Sequence, residues 1–365
     1  MPEREQTLFF GSISMEEREK YDLQPITIDE LSCLEKDQYI AVVASPFMLQ
    51  YAYTIVPRKI IALLKRNVEE ESSGFWNKFN ALLASQSDLI GSSSEKIYLE
   101  QCFRNDNVFY LPNDARETQL WSEAVRALDR GEPITPWKHR QWESRAAYYN
   151  GLYEQWGDHE TVCYLLASYL YLLKRASAKI FLAASFEQMM MKDHADCLRT
   201  HYRFFSAMEA QAGKSDQAIR IYAVTAFTED EKRSVQLLNE LLEKGRHDLI
   251  QAEIYRLNED YCSAIQSLQA FGSRDADRFA LSNYLLAFRW EEALRLLERT
   301  GVPAGERHLA EMLRGTMHLI RGRRHQAIQS FLRGSISDWR ALNSMVEVEQ
   351  WDQATQSVLV GWQDE

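Results

Sequence analysis

Residues 313–334 read LRGTMHLIRGRRHQAIQSFLRG. Two segments with apolar faces flank a short basic turn, and small residues recur at Gly315, Gly322, Ala327 and Gly334. Two helices that cross closely need a small residue where they touch, and a bulky apolar residue one turn later fills the space beside it. Ala327 is followed four residues later by Phe331. Four further segments repeat the arrangement: KSDQAIRIY, EDYCSAIQSL, FRWEEALRLL and QWDQATQSVL. Their anchors are Ala218, Ala264, Ala293 and Ala354, so with Ala327 the spacings are 46, 29, 34 and 27 residues. Recurrence on this scale predicts stacked helical hairpins, each burying its apolar face on its neighbours.

On these residues, the region from about 195 to 362 resembles tetratricopeptide repeats. Gly315, His318, Gly322, Ala327, Phe331 and Gly334 fall at the family's small, aromatic, small, small, aromatic and small positions. His318 stands for the usual tyrosine, and a glycine for the usual alanine. The Ala218 copy keeps Gly213 and Tyr222 but departs at Ser206 and Glu209. The Ala293 copy keeps Tyr284 and Leu297, with Leu281 at a small position. The usual helix-ending proline is missing throughout. The resemblance implies a mainly α fold, a helical-hairpin solenoid with irregular repeats. It implies a non-catalytic scaffold or adaptor, a chaperone or a peptide-responsive regulator, that takes a protein or peptide on its concave face. On the first helices of the pairs, the residues placed to bind are Tyr202, Arg203, Glu209, Tyr255, Asn283, Tyr284, Arg314 and His318.

Upstream, 116–194 is also helical in pattern. ETQLWSEAVRALDRG stops at Gly131, with Pro133 and Pro136 beyond it. Residues 160–176 and 177–193 are apolar around most of their circumference, which predicts helices sandwiched between others. Trp137, Trp142, Tyr148, Tyr149, Tyr153 and Trp156 crowd the helix at 137–157. Such rings fill helix cores and domain junctions more often than they dock partners. The three methionines 189–191 read as gap fillers between helices.

Residues 1–115 read as mixed α/β or irregular helical. ITIDELSCLEK (26–36) has a capped helical pattern, and YIAVVA (39–44) reads as a strand. Helices are expected at 57–70 and 75–85, and a Ser- and Gly-rich loop at 85–96. KIYLEQCF (96–103) and NVFYL (107–111) resemble a hairpin of short strands. The chain thus divides into a mixed region (1–115), a connecting helical region (116–194) and the repeats (195–365).

A net charge of −11 and a pI near 5.4 disfavour nucleic acid as a partner. No apolar run approaches the roughly 20 residues that span a bilayer. The acidic start, MPEREQTLFFGSIS, lacks a secretory pattern, and five scattered cysteines read as reduced thiols, so a cytoplasmic location is expected. His194, Cys197 and His201 share one helical face and are the best metal-ligand candidates. The outer two are about 10 Å apart along a helix, so a structural face is the better reading and neither metal nor cofactor is expected. His159 with Cys163 supports a still weaker case. No phosphate-cradling or nucleophile-elbow motif occurs. RGRRH at 321–325 has the composition to grip phosphate or acidic side chains, against the plainer reading of a solvated turn. Two alternatives to the scaffold remain. One is an enzyme with its site in the mixed region, near Ser92, Ser93, Ser94 and Cys102; the other is a structural subunit of a larger assembly.

Overall fold

The structure is a computed structural model. It describes residues 7–10, 24–25, 40–43, 49, 52–53, 59–64, 82–111, 115–190, 195–269, 271, 273–301, 307–321 and 323–334. The strands are β1 (Thr7–Phe10), β2 (Gln24–Pro25), β3 (Ile40–Val43), β4 (Lys59–Leu64), β5 (Leu89–Ser92) and β6 (Val108–Tyr110). The helices are α1 (Glu95–Arg104), α2 (Ala115–Asp129), α3 (Thr135–Trp156), α4 (Glu160–Leu172), α5 (Ala178–Met190), α6 (Ala195–Gln211) and α7 (Ser215–Ala223). They continue with α8 (Glu229–Glu243), α9 (His247–Leu257), α10 (Tyr261–Gln269), α11 (Arg274–Leu286), α12 (Trp290–Thr300), α13 (Arg307–Ile320) and α14 (Arg324–Arg333). The chain forms two compact units, 1–134 with 284–365, and 135–283, and the division falls within α11.

The first unit is built on one sheet in the order β2-β1-β3-β4-β5-β6, with every pair parallel. Parallel strands are usually covered on both faces, so they read as unbroken apolar runs. The strand expected at 39–44 is present as β3, and IAVV is buried throughout.

Three local expectations are corrected. Residues 57–70 do not form a helix where described: KIIALL is β4. A six-residue apolar run suits a buried strand or a helix equally, and pairing of Ile60 with Ala41 and of Ile61 with Leu89 decides for the strand. The loop expected at 85–96 holds β5. Gly91 sits in it where a Cβ would lie 2.7 Å from the Leu63 side chain and 3.0 Å from Leu111, so a larger residue would have to displace the ends of those leucines. Residues 96–103 belong to α1, not to a hairpin. Ile97, Tyr98, Leu99 and Cys102 are buried while Lys96 is exposed, a one-sided helical pattern, and α1 is the crossover that makes β6 parallel to β5. The helix expected at 26–36 lies outside the described residues. Of that at 75–85 only 82–85 are described, and they are helical.

Within this unit, the helices after residue 284 meet the amino-terminal edge of the sheet. Gln86, three residues before β5, donates from Nε2 to the Phe288 carbonyl at 2.8 Å. Arg289 pairs with Asp106, two residues before β6, at 3.1 Å. The carboxyl ends of the strands, including Leu64, Ser92 and Tyr110, lie at the opposite edge.

The second unit packs α3 on α4, α4 on α5, and so on in consecutive pairs to α10. Its core includes Ala218, Tyr222, Leu238, Ile250 and Ile254. The anchors Ala218, Ala264, Ala293 and Ala327 are all fully buried, and Ala354 lies outside the described residues. Each anchor N–H donates to the carbonyl four residues earlier, on Lys214, Asp260, Arg289 or Arg323. Those residues in turn donate back five positions, to Glu209, Tyr255, Tyr284 and His318. A further turn has the same geometry: Arg246 donates to Leu241 at 2.8 Å, and Ile250 to Arg246 at 3.1 Å. Its anchor is isoleucine, so the alanine pattern passes over it, and the 46-residue gap resolves into steps of 32 and 14.

Candidate functional site

Tyr202, Arg203, Glu209, Tyr255 and Asn283 belong to the 135–283 unit; Tyr284, Arg314 and His318 belong to the other. Tyr202 is half-buried, edge-on to Phe186 at 5.3 Å. Arg203 joins Arg199 on one oxygen of Glu231 and lies over the Tyr222 ring at 5.8 Å. Glu209, 2% exposed, accepts from Lys179 and pairs with Lys214 at 3.5 Å. Tyr255 is buried and accepts from Gln251 at 3.1 Å; burial pushes its hydroxyl pKa upward. Asn283 is buried and donates to the Phe279 carbonyl at 2.7 Å. The Arg289 guanidinium lies 5.4 Å over the Tyr284 ring. Arg314 bridges Glu298 at 2.7 Å and Glu311, and His318 is half-buried one turn further along α13.

His201 is buried, with Nε2 3.0 Å from the Ser185 hydroxyl and its ring against Tyr164. The side chains of His194 and Cys197 lie outside the described residues, among which no three potential metal ligands gather. Cys102 and Cys163 are buried, and burial, then the Asp158 charge, pushes the Cys163 thiol up to about 11. That environment opposes thiolate formation.

The aromatic helix α3 buries a polar stripe. Lys138, Gln141 and Arg145 are spaced three and four apart, so they share one face, and all three are buried. Arg145 donates to the Tyr149 hydroxyl at 3.2 Å and lies 4.7 Å over Tyr148. Lys138 sits 5.0 Å over Trp142, and its charge reaches Asp260. Asp260 is itself buried and accepts from the Tyr171 hydroxyl at 2.8 Å. Burial raises the Asp260 pKa against the opposing pull of Ser263, Tyr171 and Lys138.

The same unit also exposes apolar side chains. Trp156, Ile180, Val224 and Phe227 are each more than half exposed, with Phe227 at 68% under the Arg199 guanidinium at 5.5 Å. Recurring alanines carry no information about these positions, so the repeat pattern gave no sign of them. In the first unit, the Ser92 hydroxyl donates to the Leu64 carbonyl at 2.8 Å and accepts from the Ser94 N–H at 3.1 Å. No helix among the described residues is long and apolar enough to cross a membrane.

Compared with known proteins, the chain matches no family model, no curated protein and no solved structure.

Proposed function

We propose that the chain is a non-catalytic scaffold or adaptor of the cytoplasm, which captures a protein or peptide on helical hairpins of tetratricopeptide type. One observation supports this reading above the others. Among the described residues nine large apolar side chains are exposed, and eight of them lie in 135–283. Aromatic residues and methionine are enriched at partner interfaces, and five of the eight, Tyr148, Trp156, Met190, Phe227 and Phe271, are of those types. The arginines and acids at the repeat positions have internal work to do, so charge reversal at Arg314 would disturb Glu298 and Glu311 before it touched a partner. Exposed rings are the cleaner target. Phe227→Asp and Trp156→Asp should abolish capture of the partner from the native cell, read by mass spectrometry, while the helical circular-dichroism signal stays unchanged. Recovery of the same proteins by both variants would defeat the reading.

A second reading, an enzyme with its site in the mixed region, has its own support. The strand order runs outward in opposite senses from β1 and β3, and open parallel sheets bind ligands outside the carboxyl ends of strands at such a reversal. Melting curves across a panel of nucleotides and sugar phosphates test it. A ligand-induced rise supports it, and a flat response across the panel removes it.

A further inference from the structure

The hairpin of α13 and α14 gathers charge beyond Arg314 and His318, the two partner-binding positions expected there. The RGRRH turn closes where the Arg323 N–H donates to the His318 carbonyl at 2.8 Å. α12 packs against α13 and brings Glu291 and Glu298. Glu291 takes Arg295 at 2.9 Å and Arg321 at 3.0 Å. Glu298 takes Arg314 at 2.7 Å, and Glu311 takes Arg314 and, at 3.0 Å, Arg333. Arg323 is exposed at the turn. Five arginines, at 295, 314, 321, 323 and 333, thus face carboxylates at 291, 298 and 311, with the Glu292 charge also acting on Arg295, which leaves the cluster net positive among the described residues. This excess sits in a chain whose net charge is −11. Arg321 and Arg333 are 44% and 56% exposed, open to a ligand from solvent. At the centre, the His318 Nδ1 is buried with no partner among the described residues. His325, in the first turn of α14, is exposed and engaged with Gln329 at 2.9 Å.

We propose that this hairpin binds a dianionic phosphomonoester through Arg321, Arg323 and Arg333, with His318 behind them. A phosphomonoester carries about −1.5 to −2 at neutral pH, more than a carboxylate, so clustered guanidinium groups attract it more strongly. Planar guanidinium forks fit phosphate oxygens in pairs. Glu291 and Glu311 each hold two arginines, so one arginine can turn to the ligand while the other keeps its carboxylate. Burial first, then the charges of Arg323, Arg321, Arg314 and Arg333, hold His318 below its ordinary pKa, so the imidazole is neutral at pH 7. A bound dianion offsets those arginines and raises the His318 pKa. The site stands independently of the scaffold reading. Its phosphate belongs either to a phosphorylated protein side chain or to a small molecule.

The full chain is titrated calorimetrically with inorganic phosphate, with a phosphoserine peptide, and with the same peptide carrying glutamate in place of phosphoserine. Phosphate and the phosphopeptide bind, and the glutamate peptide binds at least about tenfold more weakly. Arg323→Gln weakens phosphate binding by about tenfold with circular dichroism unchanged. Arg220→Gln, at an exposed pair in the other unit, leaves binding unaltered. Proton NMR follows the His318 ring, identified by its loss in His318→Gln, and shows it titrating at higher pH once phosphate is bound. A phosphopeptide tighter than free phosphate assigns the group to a protein; equal affinities assign it to a small molecule. The site is refuted by absent phosphate binding, by an Arg323→Gln variant that binds as tightly as the wild type, or by a glutamate peptide that competes on equal terms.

Discussion

At the scale of single residues, Gly315 and Phe331 make the clearest case. A Cβ on Gly315 would lie 2.6 to 2.9 Å from three atoms of the Phe331 ring. Alanine is worth about 1 kcal/mol more than glycine in a helix interior, whereas overpacking a fitted core costs roughly 1–3 kcal/mol. The second effect wins. Gly315→Ala should lower stability by up to about 2 kcal/mol in a urea titration, and Phe331→Leu added to it should restore part of the loss. Should Gly315→Ala prove stabilising, the close crossing of α13 and α14 would be wrong. The need for a small residue at Gly315 was readable from its neighbours in sequence, since an anchor and a ring recur at fixed offsets. The internal role of polar substitutes was not. Ser206 departs from the repeat pattern, yet it is buried and donates to the carbonyl of the anchor Ala218 at 2.7 Å. A hydroxyl's partner twelve residues away cannot be seen in local spacing.

Among elements, α8 shows how a start is fixed. Thr228 accepts from the Glu231 N–H at 3.2 Å, and the Glu231 carboxylate accepts from the Phe227 and Thr228 N–H groups at 2.9 Å each. This reciprocal cap satisfies donors that a helix start leaves unpaired. Burial pushes the Glu231 pKa up. The cap hydrogen bonds and the Arg199 charge more than offset it, and the carboxyl titrates at about 2. The folded value is depressed, so the contribution is present above the unfolded pKa, about 4.3. It fades as pH falls toward about 2. Glu231→Gln should therefore cost about 1–2 kcal/mol at pH 7 and flatten the acid limb of the stability curve. Urea midpoints for both proteins between pH 7 and pH 2.5 measure this, and parallel curves would refute it. The strands β4 and β5 were harder to read than the helices. KIIALL and LIGS have no alternation, because both faces of a parallel sheet are buried, so period alone did not separate them from helix or loop.

For the molecule as a whole, contacts far apart in sequence matter most. Arg289 and Asp106 are 183 residues apart and pair at 3.1 Å. Arg289 is also tied to Glu292 at 3.0 Å and to the Tyr284 ring, so it is held in place before it meets Asp106. Asp106 is half exposed, which limits the pair to about 0.5–1 kcal/mol. A double-mutant cycle of Asp106→Ala and Arg289→Ala should return a coupling of that size, falling with added salt. Additive losses would mean that the helices after residue 284 do not rest on the amino-terminal edge of the sheet.

The sequence by itself determined the helical hairpins. Their anchors, turns and fillers lie within about ten residues of each other, where backbone geometry converts spacing directly into contact. It also separated an N-terminal region of different texture from the repeats. Only the tertiary structure decided that this region is a six-stranded parallel sheet, because each strand is completed by partners a crossover away. The placement of residues 284–334 in the same unit as that sheet is equally non-local. So is the ring of arginines about His318: RGRRH announced a basic turn, but the matching carboxylates come from α12 and α13, and the balance of charge exists only once the helices are packed.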